Sequence, residues 1–427
     1  SMTHQKVLQA LRQADYLSPK YHVVIANPPY MGGGGMNGRL KVFSQDNYQD
    51  SRADLFAMFI ERNLDLAQHR GCIAMITMQS WMFLSSFETL RAKLLISDTV
   101  LSMAHLGARA FDSIGGEVVS TTAFVIKKAK SPEYKGSYIK LTDGNSEAEK
   151  NAALLSSQYS PHFVSAAELK QIPGNPIAYW ISKAGYQAFS LPPMSEVGST
   201  RRGLQTGNKD EFIRNWFECE SENIEWRKLS KEDASNSEAR WFQFNNGGNF
   251  RKWYGNLDLV VNWRNDGEDI KKSGKAIIPS ESLYFKSAVC WARLTTGNNA
   301  FRLHPHGVIP GDLSPCFYSH ELDLAMAYYN SKCANYFLNA INPTITKTVG
   351  DVARIPSFAK SNKNLGIVKN TKELVSSHNR DWDSFETSWA FTSLPLLSPD
   401  HHQPTLKATY QKLRAHWREM TLEMQRL

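Results

Sequence analysis

The sequence predicts an α/β protein: a partial Rossmann-like sheet, then an α+β domain, then C-terminal helices. Between residues 21 and 130, short β-branched and apolar runs alternate with amphipathic helical stretches, the pattern of a layered and mostly parallel sheet. Beyond residue 196, brief aromatic runs are separated by Gly, Asn and Pro, as at Gly203–Gly207, Asn245–Gly248, Thr296–Asn299 and Pro305–Gly311, which suits short strands and turns. From residue 357 the apolar residues recur at helical spacing, with period-3.6 order and no strand alternation.

Taken in order, Tyr21 to Ala26 (YHVVIA) is a strand that must stop at Asn27-Pro28-Pro29-Tyr30, because consecutive prolines cannot donate to a ladder. A glycine run, Gly32 to Gly35, follows. Asp54 to Ala67 sets Leu55, Phe56, Phe59, Ile60 and Leu64 on one helical face, and Cys72 to Met78 is a continuous apolar run of the length of a strand buried on both faces. Ser85-x-x-Glu88 offers a capping box for a helix through Ile96. Val100–Leu106 and Val118–Ile126 complete the pattern as strands, so that residues 1–130 read as half of a domain built on a partial sheet.

Residues 131–195 read as a linker, punctuated by Pro132, Asp143-Gly144-Asn145, Pro161, Pro173 and Pro176. Residues 196–356 read as the α+β domain, with one helix over Glu321–Ala340. Residues 357–427 are helical, broken at Pro395, Pro399 and Pro404. Within them Leu406, Tyr410, Leu413, Trp417, Met420, Met424 and Leu427 make a single apolar stripe, expected to pack on the preceding domain.

Composition narrows the function classes. Of 427 residues 42% are hydrophobic and 21% charged, enough apolar surface to fold and too much for a disordered chain. No apolar run reaches the roughly 18 residues of a bilayer-spanning helix, and no signal peptide is visible; a cytoplasmic protein with no membrane contact is expected. Cys72, Cys219, Cys290, Cys316 and Cys333 are far apart, which points to reduced thiols. His304-Pro305-His306 and His401-His402 lack a third ligand at useful spacing, so no metal is expected. A net charge of +8 favours an anionic partner, nucleic acid foremost.

Asn27-Pro28-Pro29-Tyr30 carries the chemistry. Proline fixes its own φ and restricts the residue before it, so the Asn27 side chain and the Pro28 carbonyl can be aimed at one point. An exocyclic amine on a heteroaromatic ring is a poor nucleophile because its lone pair is delocalised. Two acceptors on its two N–H bonds favour a pyramidal nitrogen that can attack a sulfonium methyl. Tyr30 offers a ring on which a base taken out of a duplex can stack.

The quartet resembles the catalytic motif of amino-group methyltransferases that use S-adenosylmethionine, above all those that make N6-methyladenine in DNA. GCIAMITMQSWMFLSSFETLR (71–91), NNGGNFRKWYGN (245–256), VVNWRNDG (260–267) and DWDSFETSW (381–389) resemble the PglX family of adenine-specific methyltransferases of phage-growth-limitation and BREX defence systems. The resemblance implies catalytic roles for Asn27, Pro28, Pro29 and Tyr30, S-adenosylmethionine as methyl donor, a flipped-out adenine of double-stranded DNA as substrate, and residues 196–356 as a target recognition domain. A motif of that family is missing, however. The Gly-rich loop and the acidic residue that hold the cofactor belong upstream of the quartet, yet only 26 residues precede Asn27 and none is Gly. Gly33-x-Gly35-x-x-Gly38 matches a dinucleotide fingerprint, but it follows the catalytic strand with no helix expected directly after it, and a lid over the extruded base is the preferred reading. The cofactor-binding residues are therefore unknown. The expectation is a chain holding the catalytic and target-reading part, inactive alone, whose partner is a missing N-terminal methyltransferase half or another defence-system protein. A non-catalytic DNA-recognition or protein-docking module, and an RNA or protein-glutamine methyltransferase, are the alternatives.

Two basic, glycine-rich stretches suit phosphate and base-edge contacts. Arg201, Arg202, Gln205, Asn208 and Lys209 lie in the first; Asn246, Arg251 and Lys252 lie in the second. Asn298 and Lys347 sit in comparable loops.

Overall fold

The computed structural model describes residues 2–112, 119–156, 160–226, 230–295, 297–358 and 364–427. The chain divides into two units, Ser1–Ser190 with Ala340–Pro343, and Leu191–Asn339 with Thr344–Leu427. Among the described residues no helix is long and apolar enough to cross a membrane. All five cysteines are free thiols.

The first unit opens with α1 (Met2–Leu17), a helix that the sequence reading did not anticipate, and continues through β1 (Tyr21–Ala26), α2 (Gly38–Asn47), α3 (Leu55–Leu66), β2 (Ala67–Met78), α4 (Glu88–Ser97), β3 (Thr99–Gly107), β4 (Thr121–Lys127), β5 (Lys135–Lys140), α5 (Glu147–Leu155) and β6 (His162–Ser165). Its sheet runs in the order β1-β2-β4-β3-β5-β6. Pairings β1–β2 and β3–β5 are parallel, whereas β2–β4, β3–β4 and β5–β6 are antiparallel. The fold class is α/β as expected, but the sheet is mixed and not mostly parallel. A parallel return needs a crossover, usually a helix; β1 reaches β2 through α3, and no helix is described between β3 and β4, which turns back beside β3. Val118, the expected start of β4, lies outside the described residues.

The reading of 131–195 as a linker is corrected. Lys135–Lys140 and His162–Ser165 are strands of the first sheet, and Tyr138 is buried in its core. Pro132 and Asp143-Gly144 are turns at the two ends of β5, not the marks of a flexible connection. Ser85 does not cap a helix either: Ser85–Phe87 is a single 3₁₀ turn without a side-chain cap, and α4 begins at Glu88.

One face of the sheet is buried, with Ile73, Met75, Met103, Phe124 and Ile126 at its centre. Phe56, Ala57 and Ile60 of α3 are buried in the same unit, where α3 packs on β1 and β2. The other face is only half-buried, so β2 alternates where the sequence suggested burial on both sides. There Ile25, Ala74, Ile76, Val125 and Ile139 line an open hollow of about 460 Å³.

The second unit holds β7 (Ser199–Arg201), β8 (Ile213–Asn215), β9 (Ile224–Glu225), β10 (Trp241–Asn245), β11 (Leu259–Asn262), β12 (Ala288–Trp291), β13 (Phe301–His304), β14 (Ile309–Pro310) and β15 (Cys316–Tyr318). They form a five-stranded sheet, β14-β10-β11-β8 with β9 also on β10, and a four-stranded sheet, β13-β12-β15-β7. Phe242, Phe244, Trp263, Tyr284, Phe285 and Ile309 make the main core. The helix expected over Glu321–Ala340 is two helices, Leu322–Tyr329 and Lys332–Ile341. The break places Asn330, whose amide holds both main-chain groups of Phe301, accepting from its N–H at 3.1 Å and donating to its carbonyl at 2.9 Å. The C-terminal stripe lies on a helix over Leu406–Arg426 that buries Leu413 but leaves Leu406 and Tyr410 exposed, so only part of it packs as expected.

Candidate active site and nucleic-acid interface

Asn27 follows the last residue of β1, at the end of the sheet where open α/β folds bind ligands. It is exposed, and its amide makes no hydrogen bond among the described residues. Pro28 is buried, Pro29 exposed and Tyr30 half-buried. The Tyr30 ring stands edge-on to Phe56 of α3, with centroids 6.1 Å apart at 85°. Its hydroxyl is buried without a hydrogen bond among the described residues, and burial raises its pKa.

The chain beyond the quartet is tied to α3. Asp54 caps that helix, its Oδ1 accepting from Phe56 N–H at 3.3 Å, and the same oxygen accepts from Met31 N–H at 3.0 Å. The Leu55 N–H donates to the Met31 carbonyl at 3.0 Å, and Gly33 N–H to the Ala53 carbonyl at 3.2 Å. Sequence reasoning placed Asp54 only as the start of a helix; an acidic residue just before an apolar-periodic run is a capping signal, but its second bond to Met31 spans 23 residues and leaves no local trace.

The glycine run needs a correction. A helix does open at the third glycine: α2 starts at Gly38, capped by Asn37, whose side chain accepts from Leu40 N–H at 2.9 Å. The run is nonetheless unlike a phosphate-binding turn, in which main-chain amides face the anion. Gly33 N–H is bonded to Ala53 and Gly35 N–H to Gly32.

In the second unit the candidate nucleic-acid contacts divide by what already holds them. Arg202 donates through Nε and Nη2 to Asp312 Oδ1 at 2.9 and 2.7 Å, while Arg293 takes Asp312 Oδ2 at 2.6 Å. Arg251 pairs with Asp381 at 3.3 Å and lies over the Trp382 ring at 4.8 Å. Lys252 donates to the Asn330 carbonyl at 3.1 Å, and its burial lowers its pKa. Lys347 is buried, donates to the Thr344 carbonyl, and is pulled down to about 8 by burial. Thr296 lies outside the described residues.

The remainder face solvent. Arg201 is exposed, and among the described residues its side chain bonds the Thr200 carbonyl alone, at 2.8 Å. Gln205 is fixed through its main chain, which exchanges two hydrogen bonds with Ile277, leaving its side chain exposed. Asn208 donates to Glu211 at 3.0 Å. Lys209 is exposed. Gln205, Lys209 and Asn246, from the two separate stretches, line one hollow of about 210 Å³.

The part of the chain that holds the mixed α/β sheet's first strand and Asn-Pro-Pro-Tyr is similar to restriction-modification methylases. The family model described as Eco57I restriction-modification methylase matches residues 3–111. The chain is 38% identical over 434 residues to the adenine-specific methyltransferase PglX of Lacticaseibacillus casei (strain Zhang), covering 96% of this chain and 36% of that protein. It is 38% identical over 399 residues to the adenine-specific methyltransferase BrxX of Escherichia coli O9:H4 (strain HS), covering 92% of this chain and 32% of that protein. Over nearly its whole length the chain is therefore similar to the adenine-specific methyltransferases PglX and BrxX, and it spans about a third of the length of these curated relatives. In fold it resembles the type IIL restriction-modification enzyme MmeI, solved in complex with DNA, with a TM-score of 0.56 at 12% identity over 92% of this chain and 53% of that one. A nuclease-deletion mutant of the type ISP restriction-modification enzyme LlaGI, solved with a DNA substrate mimic, gives 0.51 at 13% identity over 86% of this chain and 42% of that one.

Proposed function

We propose that this chain is the base-holding and target-reading part of a site-specific DNA adenine N6-methyltransferase of a phage-defence system, acting on a flipped-out adenine of double-stranded DNA with S-adenosylmethionine as methyl donor. The observation that carries the reading is Asn27: an exposed amide, free of hydrogen bonds among the described residues, at the end of a sheet strand and beside a proline of fixed φ. Its Oδ1 and the Pro28 carbonyl accept the two N–H bonds of the adenine amine, holding the nitrogen in the geometry in which its lone pair is available. Asp54, through Met31, fixes the chain just after Tyr30, so the base meets a pre-set loop. Gln205, Lys209, Asn246 and Arg201 make the DNA contacts of the second unit.

The methyl donor does not fit here in full. Among the described residues, the hollow beside Asn27 has Asn27, Ser102 and Ser137 as its polar side chains, with no carboxylate for a ribose and no glycine amide for an amino-acid carboxylate. We place those contacts on sequence that the relatives carry beyond the third this chain spans, or on another polypeptide.

The test is Asn27→Ala in the full-length enzyme. Methyl transfer to duplex DNA is lost while DNA affinity stays nearly unchanged; retention of methylation overturns the role of Asn27. Calorimetry with S-adenosylmethionine and this chain alone gives no tight binding; tight binding overturns the division of the cofactor site.

A further inference from the structure

We propose that the hollow lined by residues 204–207, Lys209, Asn246, Asp312 and Leu313 is a socket for one phosphate of the DNA backbone, with Lys209 as its cation and the Asn246 amide as its neutral donor. The inference rests on the reading of the second unit as DNA-binding. Asn246 Oδ1 accepts the Leu313 N–H at 3.2 Å, and this bond fixes the orientation of the amide: only the oxygen can accept from an N–H. Gly311 holds that orientation in place, since a Cβ there would lie 2.2 Å from Asn246 Oδ1, so the backbone closes directly on the amide. With the oxygen placed towards Leu313, the Asn246 Nδ2 is the amide's unused donor, making no hydrogen bond among the described residues. Asp312, the acidic residue of the lining, has Oδ1 bonded to Arg202 and Oδ2 bonded to Arg293. The one carboxylate that lines the hollow is thereby neutralised; Asp210 and Glu211 follow Lys209 in the chain, but its ammonium makes no ion pair among the described residues.

The site therefore displays donors and positive charge and selects a partner that only accepts. The parts of DNA that answer that description are phosphate oxygens and the acceptor edges of bases, such as guanine O6/N7 in the major groove and adenine N3 and thymine O2 in the minor groove. Size and shape decide between them. The hollow is about 210 Å³, below the roughly 300–1,000 Å³ of pockets that enclose a whole small ligand, so it takes a small protruding group. Phosphates project from the duplex, whereas base edges are recessed in the groove and are reached by protein groups that project. Gly207 lines the hollow as bare backbone, because its φ of +78° and the Lys275 carbonyl oxygen, 2.7 Å from where a Cβ would sit, leave no room for a side chain.

The experiment is fluorescence anisotropy of the full chain with duplexes of several sequences across a salt series. Lys209→Ala lowers the slope of log affinity against log salt by about 0.9, the value of one phosphate contact, and weakens every duplex equally. Asn246→Asp keeps the oxygen that accepts from Leu313 and turns the donor into an anion, so it weakens binding about tenfold on all sequences. An unchanged salt slope in Lys209→Ala overturns the socket. So does a loss confined to duplexes with guanine at one position and reproduced by 7-deazaguanine, which identifies a base-edge site instead. A wild-type chain that binds no duplex at low salt overturns the underlying DNA-binding reading, a result distinct from either of these.

Discussion

Asp54 Oδ1 accepts the Met31 main-chain N–H at 3.0 Å and the Phe56 N–H at 3.3 Å, so one carboxylate both caps α3 and fixes the residue that follows Tyr30. The end of β1 and the start of α3 are thereby a single mechanical unit. Losing an N-cap costs about 1 kcal/mol, and a second donor left without its acceptor adds to it. Asp54→Ala is expected to destabilise the first unit by about 1–2 kcal/mol in urea unfolding. Asp54→Asn keeps an accepting oxygen and restores most of that loss. Equal losses in the two variants would show that the oxygen is not what matters.

His105 on β3 supplies a pH dependence whose direction follows from its neutral pairing. Nε2–H donates to Gln79 Oε1 at 2.6 Å, and Nδ1 accepts from the Tyr179 hydroxyl at 3.0 Å. Burial, with Lys140 and Lys150 nearby, pulls the imidazole pKa from 6.5 to about 4. The unfolded chain therefore takes up the proton first. Stability from this residue is complete above pH 6.5 and declines as pH falls towards 4, by on the order of 3 kcal/mol in all. His105→Asn does not titrate, so the stability difference between wild type and variant narrows over that window. A difference independent of pH between 7 and 4 would mean that His105 is not held neutral.

Why some of this was legible and some not can be argued from single residues. Tyr21–Ala26 was readable as a strand with its end marked, because Pro28 and Pro29 act locally. The α3 face was readable because Phe56 and Ile60 repeat at helical spacing. The insertion of β4 between β2 and β3 was not, since strand order is a long-range property; the absence of a helical pattern after Gly107 was the one available clue that the chain turns back. The turn residues around β5 have the composition of a linker, because punctuation marks the ends of strands and the ends of domains alike. Arg202 looked like a free cation, and the carboxylate that holds it lies 110 residues away. Charge patterns along the chain show which residues can reach DNA, but not which are already spoken for.

Arg91 of α4 is 1% exposed and bonds only main-chain carbonyls among its described contacts: Trp81 at 2.8 Å, Leu84 at 2.7 Å, Gly174 at 2.7 Å and Asn175 at 3.1 Å. It joins α4 to the Gly174-Asn175 turn, just before Ile177, whose N–H donates to the Met82 carbonyl at 2.9 Å. Truncation strands several buried acceptors, each worth about 1–3 kcal/mol. Arg91→Ala is expected to cost at least about 3 kcal/mol by chemical denaturation, and Arg91→Lys, with one compact donor group in place of a fork, recovers only part. Full recovery by lysine would place the effect in the charge and not in the geometry.

Arg251 and Lys209 lie in similar basic, glycine-rich stretches but should respond oppositely to mutation. Arg251 sits over Trp382 at 4.8 Å and pairs with Asp381 at 3.3 Å, so its guanidinium is part of the packing of the helix Asn364–Asp383. Cation–π contacts and half-exposed ion pairs are each worth about 0.5–1 kcal/mol. Arg251→Ala is therefore expected to lower Tm by a few degrees, corresponding to about 1 kcal/mol, and to leave the salt slope of DNA binding at the wild-type value. Lys209→Ala leaves Tm unchanged. A reduced salt slope in Arg251→Ala with an unchanged Tm would mean that Arg251 exchanges Asp381 for a phosphate when DNA binds, and that its contacts in the free chain only hold it ready.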